Sequence, residues 1–153
     1  MTKVRLQLTF YGLATVAFIL STTVADVVAR VSVGGEPVGE ALSESFGSAG
    51  IPVLGLVMIA VPFVALAWVG VHLALRNAFW WGLLLAFVGM SCLVLLYFQG
   101  FHYSQVAILQ RKWTAAALSV GLIPFFYGVP ITLLAIAIRF IVVPRLKPRR
   151  DEA

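Results

Sequence analysis

Four predominantly apolar runs, residues 6–28, 51–75, 79–99 and 114–143, take up most of a 153-residue chain. About 20 apolar residues suffice for a helix to cross the hydrocarbon of a bilayer, and each run reaches that length. The whole chain is 61% hydrophobic and 11% charged, with a mean hydropathy of +1.02. Soluble domains carry about 25% charged residues, and a fold of this size buries only part of its surface. The excess apolar surface needs lipid as its solvent. The expected fold is therefore all-α: one polytopic integral membrane domain over residues 1–153, built as a bundle of four transmembrane helices.

Between the runs lie polar breaks at residues 31–50 and 100–113, and a basic, proline-broken tail at 144–153 is expected to be disordered. Lys3 and Arg5 precede the first run, and its length favours an uncleaved span over a secretory signal. Eight basic residues (Lys3, Arg5, Arg76, Arg139, Arg145, Lys147, Arg149 and Arg150) fall on one side of such a bundle. Three (Arg30, Arg111 and Lys112) fall on the other. By the positive-inside bias the expectation is a multi-pass protein of the plasma (inner) membrane, with N and C termini cytoplasmic and both polar breaks outside.

Local signals refine this plan. Pro37 to Phe46 reads as a short extracytoplasmic interfacial helix, with Val38, Leu42 and Phe46 on one face and Gly47 as its stop. Pro52 suits the start of the second span. Pro62, mid-span, should kink that helix and deprive the Met58 carbonyl of an amide partner. The short link at Arg76–Asn77–Ala78 forces spans two and three into an antiparallel hairpin. Gly82, Ala86 and Gly89 form a small-residue stripe that lets another helix approach closely. Pro124 and Pro130 should bend or unwind the fourth span, and Arg139 near its inner end can snorkel to headgroups. The lone cysteine, Cys92, is expected to be a small core residue and excludes any intramolecular disulfide.

Polar residues at the ends of the spans supply the candidate sites. Asp26 and Arg30 stand four apart, acid before base, which on a helix makes a local ion pair at the outer interface. Gln99, His102 and Arg111 fall at the same outer level and complete a candidate outer polar site. His72 and Arg76, one turn apart, form a candidate inner site. The two histidines lie at opposite ends, so they cannot share a haem or a metal, and no spacing supplies three or four metal ligands.

No carboxylate falls in the middle of a span, there is no HExxH motif, and no glycine-rich loop follows a strand. The basic residues lie at span ends rather than on one soluble face, so nucleic acid is not the expected partner. These absences point away from an enzyme, a cofactor or a bound metal. The expected function is binding of another membrane component besides the lipid bilayer itself: a second membrane protein or a further copy of the chain, as an accessory subunit or an immunity-type protein. The alternative is a small oligomeric channel or transporter with an outward-facing polar site.

Overall fold

A computed structural model describes residues 3–47, 53–76 and 78–145. The described residues are 93% helical, with no strand among them. Helix α1 (Lys3–Ala29) runs on through a π-helical turn at Arg30–Gly34. Then follow α2 (Val38–Gly47), α3 (Val53–Leu75), α4 (Phe79–Leu109), α5 (Trp113–Ile123), a second π-helical turn at Pro124–Gly128, and α6 (Val129–Arg145). Among the described residues four helices are long and apolar enough to cross a membrane: Lys3–Gly34, Val57–Leu75, Phe79–Leu109 and Val120–Ile141. The protein is a four-helix multi-pass membrane bundle.

The boundaries correct the sequence-based expectations at three places. The third helix does not stop at residue 99. Helix α4 runs on to Leu109, so the expected outer loop at 100–113 shrinks to a turn at Gln110–Lys112. The physical reason lies in the buried stripe Gly82, Ala86, Met90, Leu93, Tyr97, Phe101 and Ser104, which repeats every three or four residues straight through the polar stretch. Gln99 and Tyr103 mark the exposed side of the same helix, not its end. Similarly, the expected tail at 144–153 begins later, because α6 includes Pro144 and Arg145; the remainder lies outside the described residues, as do Pro52 and Asn77. Cys92 is exposed on the outside of the bundle rather than packed in its core.

Phe10 of α1, Gly70 of α3 and Ala86 of α4 meet at one level of the bundle. A Cβ on Gly70 would come within 2.6 Å of the Phe10 ring and 3.4 Å of Ala86. The small-residue stripe of α4 does face a helix at close range. A Cβ on Gly82 would sit 2.6 Å from the Gly70 carbonyl oxygen, and one on Gly89 would touch Leu66 at 3.0 Å. In lipid, where apolar area alone gives helices little reason to associate, such backbone approach supplies the packing energy. Further along, Phe63 stands edge-on to both Phe18 and Tyr97, with ring centroids 5.8 and 5.2 Å apart.

In the fourth span the prolines coincide with the expected break in the α-helix, with a specific geometry. Pro130 has no N–H to offer, and the chain widens there into a π-helical turn in which the Val129 amide reaches back to the Pro124 carbonyl. Helix α3 continues as one helix through Pro62, which gives the Met58 carbonyl no amide. Pro62 packs directly on Gly128, where a side chain would collide with its ring and would stand 2.7 Å from the Tyr97 hydroxyl.

This up-and-down course sorts the ends. The start of α1, the α3–α4 hairpin and the end of α6 share one end, the hairpin end. The π-helical turn after α1, α2 and the α4–α5 turn share the other, the loop end. Helix α4, with 31 residues, is about 46 Å long at 1.5 Å per residue, against roughly 30 Å of hydrocarbon. It therefore exceeds the thickness of the hydrocarbon by about 16 Å.

Candidate functional site

At the loop end, α1 closes in an ion network. Asp26 and Arg30 pair as their spacing implies, the Arg30 Nε lying 3.2 Å from both carboxylate oxygens. The Arg30 guanidinium also donates to Glu36 at 3.5 Å and to Glu44 of α2. Ser45 donates its hydroxyl to Asp26. The sequence reading missed the partners from α2. Their signal was the acidic run Glu36, Glu40 and Glu44 after Arg30, with Glu44 set fourteen residues beyond it. The network works as a clasp: it holds α2 on α1, with Ala41 fully buried between them. Val38 and Leu42, the expected apolar face, remain exposed. That leaves them available to the headgroup region, while α2 is fastened through its other side.

The local backbone prepares this clasp. The π-helical turn lets two successive amides, those of Gly35 and Glu36, point at the Arg30 carbonyl. Gly35 takes a left-handed conformation, φ 70°, which glycine adopts at no steric cost. The chain then reverses toward α2.

The end of α4 is built differently. The Lys112 amide bonds to the Ala107 carbonyl and the Arg111 amide to the Ile108 carbonyl, both at 2.8 Å, the pattern of a Schellman stop. That motif wants a left-handed residue, usually glycine, and here Arg111 fills it with φ 60°. Among the described residues no other non-glycine has a positive φ. Beside it Gln110, Lys112 and Trp113 are exposed, as are Tyr103 and Gln99 two and three turns back along α4. His102 is half-buried. Its ring lies parallel to that of Phe98 at 5.9 Å, and its Nδ1 is enclosed without a hydrogen-bond partner among the described residues.

The five candidate outer residues thus share one end of the bundle without forming one pocket. Arg30 makes its three ion pairs with Asp26, Glu36 and Glu44, and none with the α4 side. Two sub-sites result: an acidic one on α1 and α2, and a basic, aromatic one at the α4–α5 turn.

At the hairpin end His72 and Arg76 lie on one face of α3, as expected. Arg139 does not simply reach for water. Its guanidinium carbon stands 5.0 Å above the Trp68 ring, whose other neighbour is the His72 ring at 4.3 Å. Trp68 and Arg139 were missed as site residues, although Trp68, His72 and Arg76 at successive turns of one helix would have signalled the stripe.

No group of three or more histidine, cysteine or carboxylate side chains able to hold a metal occurs among the described residues. The surface grooves are apolar. One of about 380 Å3 runs between α1 and α4, along Leu13, Val16, Leu20, Phe87, Val94 and Leu95. No protein family, curated protein or solved structure matches the chain.

Proposed function

We propose that the protein works by binding another membrane protein at its loop end, as an accessory subunit or an immunity-type protein, without chemistry of its own. The observation that carries this reading is Arg111. A helix stop that glycine would satisfy without strain instead holds an exposed arginine in a left-handed backbone, beside exposed Trp113 and about 12 Å along the helix from exposed Tyr103. Strain kept at an exposed position is a mark of function, and arginine, tyrosine and tryptophan are the residues that dominate interface energies. The clasp of α2 on α1 adds a rigid acidic neighbour, so a partner meets both charge signs on a preorganised surface.

The test is a photo-crosslinking amino acid at Tyr103, Gln110 or Phe87, in native membranes. A discrete adduct from the first two sites and none from the lipid-facing Phe87 is the expected result. Adducts of equal pattern from all three sites would refute the reading. Orientation is part of the proposal: N and C termini in the cytoplasm of a plasma (inner) membrane, from the eight-to-three bias of basic residues. In a Cys92→Ser background, cysteines at Ser43 and Gln110 should react with an impermeant maleimide from outside intact cells, and one at Asn77 should not.

One feature favours the second reading, a small oligomeric channel or transporter. Tyr97 is fully buried, and its hydroxyl and that of Thr132 have no hydrogen-bond partner among the described residues. Both stand near the proline-widened turn at Pro124–Gly128. Interrupted helices with unmatched polar groups mark the solute sites of transporters. Solute flux into proteoliposomes that Tyr97→Phe abolishes would favour this reading over docking.

A further inference from the structure

We propose that the hairpin end carries a binding site for the phosphate of an anionic phospholipid, formed by Arg139, His72 and Arg76 around the exposed ring of Trp68. The charge distribution is the first argument. Among the described residues every carboxylate (Asp26, Glu36, Glu40 and Glu44) lies at the loop end, whereas Lys3, Arg5, Arg76, Arg139 and Arg145 lie at the hairpin end. Of these, Lys3, Arg5, Arg76 and Arg139 have no protein counter-charge among the described residues. An arginine at the edge of hydrocarbon needs an anion, and the membrane supplies one in its headgroups.

Geometry singles out Arg139 among the five. It lies six residues before the end of α6, and Trp68 lies seven before the end of α3. At 1.5 Å per residue both stand about 9–10 Å inside the helix ends, and Arg139 lies two residues before Ile141, where its apolar span ends, close enough for its stem to carry the guanidinium to the headgroups. The guanidinium is held over the indole at 5.0 Å and no hydrogen bond or ion pair joins it to a described residue. A cation–π contact engages its charge but satisfies none of its five N–H donors. A phosphodiester is the acceptor that fits a guanidinium fork, two oxygens to two N–H groups.

The stripe on α3 completes the site. Trp68, His72 and Arg76 are spaced four apart, so they lie one above another toward the headgroups. Trp68 is 42% exposed, a platform for the first carbons of an acyl chain and the glycerol. The His72 ring packs on it with Nδ1 enclosed, which leaves Nε2 as the atom able to reach a ligand. Arg76 is exposed one turn further out. An apolar platform, an imidazole and two guanidiniums at rising depth match the order of parts in an anionic phospholipid. The site is independent of the partner surface proposed above, which sits at the opposite end.

Fluorescence of Trp68 reads the occupant directly. With Trp80, Trp81 and Trp113 replaced by phenylalanine, all three being exposed, the full-length protein is placed in phosphatidylcholine nanodiscs. These contain a minor fraction of either brominated phosphatidylglycerol or brominated phosphatidylcholine. Brominated phosphatidylglycerol should quench Trp68 preferentially. Arg139→Gln should lower that preference about fivefold, the effect of one basic residue at an anionic surface. Arg76→Gln should lower it less, and Arg5→Gln should leave it unchanged. Equal quenching by the two lipids, or a preference untouched by both Arg139→Gln and Arg76→Gln, would overturn the proposal. Loss of the preference when millimolar inorganic phosphate is added would overturn the lipid as its source and assign the site to free phosphate. Monodisperse elution of each variant establishes that it is folded, and Arg139→Lys, which keeps the charge but not the fork, should recover part of the preference.

Discussion

Helices α1 and α4 leave the membrane side by side at the loop end, yet they finish in opposite ways. The end of α1 uses glycine where the backbone turns left-handed and ties its polar groups to one another. The end of α4 uses arginine at the equivalent turn and leaves Gln110, Arg111 and Lys112 exposed, tied only by a bond from the Lys112 ammonium to the Gln110 side chain at 3.1 Å. The first is built for stability, since each local choice agrees with the fold. The second accepts backbone strain to present a side chain. A molecule that follows its local rules at one helix end and breaks them at its neighbour's separates its scaffold from its working surface.

The contrast can be broken most strongly at Arg30. Arg30→Met should cost about 2–3 kcal/mol in thermal unfolding in mild detergent, because it strands carboxylates held close to the bundle. Removing one partner of a fully buried pair costs more, but Arg30 and Asp26 keep 18% and 13% side-chain exposure, which discounts the figure. A loss under about 0.5 kcal/mol would mean that α2 is not held by the clasp. Gly35→Ala should cost about 1 kcal/mol through its left-handed backbone alone, since an added Cβ would meet nothing within 4 Å.

At α4 the sign should reverse. Arg111→Gly should raise stability by about 0.5 kcal/mol, the relief of left-handed strain less the extra freedom of glycine in the unfolded chain. The same variant should weaken crosslinking from Tyr103. A stabilised protein with undiminished crosslinking would reduce Arg111 to an ordinary turn residue. Smallest of all, Glu44→Gln should change stability by no more than about 0.5 kcal/mol, because Glu44 is 60% exposed. A larger effect would make Glu44, rather than Asp26, the main anchor of Arg30.

Much of this was legible in the residues. The four spans, the Asp26–Arg30 pair and the break near Pro124 rest on interactions between near neighbours in sequence, and the close approach along Gly82, Ala86 and Gly89 was signalled by a stripe of small residues. The reach of α4 was misread because polarity at Gln99 and His102 outweighed the stripe through Tyr97, Phe101 and Ser104, which carries the helix onward. Cys92 was misplaced because in lipid an apolar residue can face outward at no cost, so hydrophobicity ceases to distinguish core from surface.

By itself, then, the sequence determined the class of solvent, the number of crossings and which charges share an end. Those follow from composition and from the rule that every backbone group in lipid must be satisfied within its own helix. Only the tertiary structure decided the clasp of Arg30 by Glu44, the seat of Arg139 on Trp68 and the contact of Pro62 with Gly128. Each joins residues on different helices, and which faces of two helices meet depends on shape and close packing, to which a chain's order of polar and apolar residues gives no direct guide.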